Sequence, residues 1–124
     1  IIYLLRNITD VPIVLREHNL ELKIMKRFYE NQNNLLLKNF AKIQYKKFID
    51  YEPTQCSKFD LCLMITKDDE NSLLNLNPKI KTTTIPVGVD EELFNYQRKK
   101  SIPFSICHIG SMDWFPNYDG LQCI

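Results

Sequence analysis

The chain has 124 residues, of which 44% are hydrophobic, 11% aromatic and 25% charged, enough for one domain with a real core or for parts of two and too apolar for wholesale disorder. Sixteen basic against fifteen acidic side chains leave a net charge of +1, which speaks against a dedicated nucleic-acid binder. No apolar run approaches the roughly 20 residues that span a bilayer, and nothing resembles a signal peptide, so a cytoplasmic location is expected.

Ile1 to Ile8 has the apolar spacing of the end of a helix, and a start at Ile with a stop at Ile124 reads as a segment of a longer protein. Val11 to Leu15 (VPIVL) reads as a short buried strand with Pro12 at its beginning. Arg16-Glu17-His18-Asn19 and Glu21 follow directly. A polar cluster just after the carboxyl end of a buried strand is where open α/β sheets place ligands.

From Leu20 to about Tyr51 the period becomes helical, with one helix before Asn31-Gln32-Asn33-Asn34 and a longer one after it, carried by Leu36, Phe40, Ile43 and Phe48. Lys38, Lys42 and Lys46 fall on one stripe of the second helix, away from that apolar row. Such a stripe is either a solvated face or, with Tyr45 beside it, a face that rests on anionic lipid. Pro53 is expected to end or kink the helix.

Asp60 to Thr66 (DLCLMIT) is a second strand. Thr66-Lys67-Asp68-Asp69 has capping-box spacing and starts a helix that Asn77-Pro78 stops. Thr82 to Pro86 is strand-like and opens into a loop at Gly88, and Arg98 to Ser101 reads as a linker. Phe104, Ile106 and Ile109 then suggest a last buried strand, with His108 inside it. Gly110-Ser111 would make the turn, and Pro116 would open a helix. A strand, a glycine turn and a helix start together form a place for an anion, although one glycine alone equally suits a plain βα turn.

Cys56, Cys62, Cys107 and Cys123 show no C-x-x-C pairing and no histidine at zinc-ligand spacing. They read as reduced structural thiols, and no metal site is expected. The alternation of strands and helices predicts an α/β fold with a parallel sheet.

Four ordered segments carry a more specific signal: VPIVLREHNLE (Val11 to Glu21), the glutamate Glu52 ahead of the strand in YEPTQCSKFDLCLMIT, IPVGVD (Ile85 to Asp90) and HIGSMDWFPNYDGL (His108 to Leu121). Together they resemble the middle of a GT-B glycosyltransferase of the large retaining group called glycosyltransferase family 4. Val87 departs from the pattern, standing where many relatives carry Asn.

The resemblance implies two Rossmann-like domains facing each other across a cleft. Residues 1–85 would be the second half of the N-terminal, acceptor-side domain, 86–103 the hinge, and 104–124 the start of the C-terminal, nucleotide-sugar-binding domain. His18 would reach the donor sugar as the catalytic-site histidine, with Arg16, Asn19, Glu21 and Glu52 on the acceptor side or lining the cleft. Glu52 suits a structural role there, bonding a backbone. Gly110, Ser111 and Asn117 would hold the donor.

The resemblance further implies transfer of a sugar from a nucleotide-sugar donor to a glycan or lipid-linked acceptor, as in polysaccharide biosynthesis, with no metal and no cofactor beyond the donor itself. A location at the inner face of an anionic membrane and association into homo-oligomers are the corresponding partner expectations. The basic residue and glutamate pair that complete the donor site in that group do not occur among these residues, so the chain alone is expected to be inactive. The alternatives are a non-catalytic α/β scaffold using the Lys38-Lys42-Lys46 face, and a flavodoxin-like nucleotide binder.

Overall fold

The computed structural model describes residues 2–94 and 102–121. The expected linker at Arg98 to Ser101 and the thiol of Cys123 lie outside the described residues. The chain divides into two compact units, Ile1–Val87 and Gly88–Ile124.

The first unit is mixed α/β and contains an open three-stranded parallel sheet in the order β1-β2-β3, with β1 at Val14–Glu17, β2 at Leu61–Met64 and β3 at Thr82–Thr84. Helix α1 (Ile2–Arg6) precedes the sheet, α2 (Glu21–Asn31) and α3 (Leu35–Cys56) connect β1 to β2, and α4 (Lys67–Leu76) connects β2 to β3. The register pairs Leu15 with Cys62, Glu17 with Met64, Cys62 with Thr82 and Met64 with Thr84. These residues therefore share one face of the sheet.

Crossovers that step through a parallel sheet in one direction with one hand lay their helices on one face. The core lies there: Leu20 and Leu22 at the start of α2, Cys56 of α3, Cys62 and Met64 of β2, Leu73 of α4 and Ile80, with Leu15, Tyr45, Phe48 and Phe59 packed around them. Val14 and Arg16 alternate onto the opposite face and are exposed.

Strand β1 begins three residues later than Val11. Pro12 has no N–H to donate, and the Ile13 N–H goes to the Asp60 carboxylate at 2.6 Å instead of to a neighbouring strand. The same Asp60 oxygen receives Arg6 of α1 at 2.6 Å. The Ile13 amide first, then the Arg6 guanidinium, hold this exposed carboxyl below its ordinary range. At the other edge β3 stops at Thr84. The Ile85 N–H bonds the Met64 carbonyl at 2.8 Å, and Pro86 cannot continue the ladder.

The asparagine cluster separates α2 from α3, and Asn34 caps α3 by accepting the Leu36 and Leu37 amides at 3.0 and 3.2 Å. Pro53 does not end α3. It sits buried inside the last turn, and the helix runs on to Cys56. So near the end only the bond to the Ile49 carbonyl is forfeited, and burial of the ring offsets it. At Thr66 the cap forms as its spacing predicts, with the Asp69 amide 3.1 Å from the hydroxyl, and α4 starts at Lys67.

Of the apolar positions that carry the helical period of α3, Leu36, Phe40 and Ile43 face outward and Phe48 packs against the core. Leu36, Phe40 and Ile43 are 81%, 57% and 54% exposed, and the inward row is Ala41, Tyr45, Phe48 and Cys56. Both rows have helical spacing, and packing against α2 and the sheet selects the second. The sulfurs of Cys56 and Cys62 are buried, and Cys62 Sγ lies 3.4 Å from the Cys56 carbonyl. Among the described residues no helix is long and apolar enough to cross a membrane.

The second unit contains α5 (Glu91–Phe94) and α6 (Phe115–Leu121). The strand expected at Phe104 to Ile109 is absent, so His108 is not a sheet residue. Phe104 adopts a left-handed φ of 57°, and Phe104, Ile106, Cys107 and Ile109 are exposed. A strand exists only with a ladder partner and a face to bury, and among the described residues this unit supplies no second strand.

Candidate functional site

The carboxyl end of β1 gathers the polar cluster seen in the sequence. Glu17, the last ladder residue, is half-buried opposite Met64, whereas His18 and Asn19 form an exposed bend. Leu20 then returns to the core at 1% exposure. The His18-Asn19 turn is thus held at both ends, by the ladder on one side and by a buried leucine on the other.

A third restraint comes from α3. Glu52 reaches the first turn of α2, where its Oε1 accepts the Glu21 amide at 2.6 Å and its Oε2 accepts the Leu22 amide at 3.1 Å. Leu20, at the N-cap position, has no side chain able to do this, so the long-range carboxylate satisfies donors that the helix start leaves open. Burial pushes the Glu52 carboxyl up to about 7, against the opposing effect of the Leu22 and Glu21 amides, and the charges of Glu17 and Glu21 push the same way. Glu17 is raised as well, first by burial and then by Glu21, with His18 partly offsetting both.

Two further contacts fix the rim of the sheet. Lys23, one turn into α2, pairs with Asp68 and, at 2.7 Å, with Asp69 at the start of α4. Those acids already favour the positive end of α4, so one lysine ties two helix starts together above the carboxyl ends of β1 and β2. Behind them Glu70 is buried. It accepts Lys67 at 2.5 Å, Thr82 at 2.8 Å and Thr84 at 2.6 Å, and these bonds hold its carboxyl down at about 2.

The sequence-predicted residues of this unit therefore fall into two sets. His18, Asn19, Glu21 and Glu52 come together at the end of β1, with Glu17 added. Arg16 lies one residue earlier, exposed on the uncovered face of the strand. Glu17 was signalled by its place inside the polar cluster. Lys23 carried no local signal, because Asp68 and Asp69 stand 45 and 46 positions away; of the partners of Glu70 only Lys67 is near in sequence, Thr82 and Thr84 standing 12 and 14 positions away.

In the second unit Gly110, Ser111 and Asn117 do come together. The Asn117 side-chain amide donates to the Ser111 carbonyl at 2.9 Å, and Ser111 Oγ accepts the Asp113 amide at 3.4 Å. Gly110 has no positive φ. Its need for glycine is spatial: a Cβ there would sit 2.7 Å from Asn117 Nδ2 and 2.9 Å from His108 Nε2. The glycine turn is thus closed by its own side chains, and α6, at seven residues, is short.

Away from these groups, an apolar groove of about 460 Å³ is lined by Ile2, Leu5, Leu15, Tyr51, Gln55 and Phe59 and offers no charged group for chemistry. Among the described residues no cluster of three or more His, Cys, Asp and Glu side chains is placed to hold a metal ion. No protein family, no curated protein and no solved structure matches the chain.

Proposed function

We propose that this chain is the central part of a retaining GT-B-type glycosyltransferase, in which the His18-Asn19 turn contacts the sugar of a nucleotide-sugar donor. The observation that carries the reading is the exposed imidazole at the carboxyl end of a parallel strand, on a turn held by the ladder, by Leu20 and by the Glu52 clamp. Parallel α/β sheets place ligands at that end, and a fold of this kind acquires its function from such a site rather than from its topology.

Sugar transfer breaks the bond between the anomeric carbon and a diphosphate oxygen. Positive charge develops on the sugar ring and negative charge on the leaving group. Fixed dipoles near the ring assist that separation, and a turn anchored at three points presents His18 with little reorganisation. The acceptor, a glycan or lipid-linked sugar, would enter on the side of Arg16, Asn19 and Glu21.

The test is a transfer assay of the full-length protein against a panel of nucleoside-diphosphate sugars, with the anomeric configuration of the product read by NMR. Transfer with retention supports the reading; hydrolysis only, or no consumption of any donor by folded protein, removes it. The 124-residue chain alone is expected to be inactive.

A further inference from the structure

Cys56 and Cys62 take no part in the transferase reading, and they are neighbours in the core. Cys56 is the last residue of α3 and Cys62 the second of β2, 3% and 0% exposed in one buried cluster. The Cys62 Sγ lies 3.4 Å from the Cys56 carbonyl. The Cys62 thiol beside it, and burial after that, push the Cys56 thiol up, whereas the Cys56 side chain holds Cys62 down against the effect of burial. A lone buried cysteine behaves as a small inert hydrophobe. Two that stand side by side and differ in acidity have the make-up of an attacking and a resolving thiol.

The pair stands where a change is felt at the His18 turn. Glu52 precedes Cys56 by four residues, so both lie on one face of α3, and the charges of Glu17 and Glu52 push the Cys56 thiol the same way as burial does. The Glu52 carboxylate in turn holds the Glu21 and Leu22 amides at 2.6 and 3.1 Å. Small solutes have a route towards the sulfurs. Leu15 and Phe59 line the apolar groove of about 460 Å³ and also pack against the cluster that contains both cysteines, so the groove ends one side-chain layer from that cluster.

We propose that Cys56 and Cys62 are a peroxide-sensitive dithiol, whose disulfide joins the end of α3 to β2 and loosens the Glu52 clamp on the His18 turn. The Cys62 sulfur gives up its proton and attacks one oxygen of hydrogen peroxide. The O–O bond breaks, the departing hydroxide takes up the proton and leaves as water, and Cys62 carries a sulfenic acid. The Cys56 sulfur then attacks the sulfenic sulfur, the S–O bond breaks, and hydroxide leaves as water with the Cys56 proton. The two thiols lose two electrons in all, and one peroxide becomes two waters. A covalent bond is shorter than any contact between thiols, so the last turn of α3 is drawn towards β2 and Glu52, one turn back, moves with it. The device belongs to the first unit of the fold and survives failure of the transferase reading.

The test treats the folded full chain carrying Cys107→Ser/Cys123→Ser with hydrogen peroxide, then blocks the remaining thiols with iodoacetamide in denaturant. Trypsin cuts after Lys47, Lys58 and Lys67, so the disulfide is read by mass spectrometry as residues 48–58 joined to 59–67. The joined peptide is expected in the treated protein and is expected to vanish on reduction. Wild-type chain mapped the same way gives the same reading, since Cys107 and Cys123 fall in a different peptide, and this holds if the double variant does not fold. Hydrogen exchange of the Glu21 and Leu22 amides should quicken about tenfold on oxidation, as for a helix start that has lost its clamp. Absence of the joined peptide from folded protein, its formation only after urea has unfolded the chain, or a disulfide that leaves exchange at Glu21 and Leu22 unchanged would each overturn the proposal.

Discussion

The carboxylate of Glu52 lies 2.6 Å from the backbone N–H of Glu21, joining the last part of α3 to the first turn of α2 across 31 residues of sequence. This contact fixes the far side of the turn that carries His18, and it does so with a carboxyl that burial holds near neutrality.

Glu52 makes stability depend on pH in a particular direction. Its folded value is raised, from 4.5 to about 7, so the folded state binds the proton more tightly than the unfolded chain. Stability should therefore fall as pH rises from about 4.5 to about 7 and level off above. Glu52→Gln keeps an acceptor for one amide and has no proton to lose. Its melting temperature relative to the wild type should rise across that window. A difference that stays constant from acid to neutral pH would show that Glu52 does not titrate there. Glu52→Ala removes the clamp altogether and should cost about 1 kcal/mol, the usual loss for a helix cap.

Glu70 runs in the opposite sense. Its folded value is depressed to about 2, so its contribution is fully present above the unfolded value near 4.5 and is lost as pH falls towards 2. Glu70→Gln should lower stability at neutral pH by about 2 kcal/mol, because charge-assisted bonds from Lys67, Thr82 and Thr84 weaken together. Urea titrations at neutral pH and near pH 2 read this directly, and an undiminished difference at the lower pH would contradict it.

Burial separates the two apolar rows of α3. Phe40→Ala should change stability by less than about 0.5 kcal/mol, as for an exposed site, whereas Phe48→Ala on the inward row, which packs against the core, should cost about 3 kcal/mol. Chemical denaturation of the two variants would show an inverted order if the row containing Phe40 were the inward one.

In the second unit, Gly110→Ala should displace Asn117 from the Ser111 carbonyl, since the new Cβ would lie 2.7 Å from Asn117 Nδ2. Asn117→Ala removes the same bond, worth about 1 kcal/mol. The pair should therefore be non-additive in hydrogen exchange of residues 111–117, and simple additivity would mean that the turn is not closed by Asn117.

The features legible in the sequence are those with local causes. The capping box at Thr66 to Asp69 and the helix break at the asparagine cluster depend on neighbours within four residues, and both formed where the pattern places them. What escaped depends on distant partners. Strand β1 starts late because Asp60, 47 residues on, takes the Ile13 amide. The two rows of α3 have the same period, so periodicity cannot choose between them. The alternation at Phe104 to Ile109 is that of a strand, but pairing needs a neighbour. For the candidate site, the polar cluster after β1 and a backbone-bonding role for Glu52 were readable; the Lys23 tie to α4 was not.

The most direct measurement compares His18→Ala with the wild type in the full-length protein, using whichever nucleotide sugar the wild type consumes and following both transfer rate and melting temperature. His18 is exposed, so the melting temperature should be unchanged, while transfer should fall by about a hundredfold, the scale of losing one fixed dipole beside developing charge. Equal transfer by the two proteins would remove the His18 turn from the site and with it the central claim.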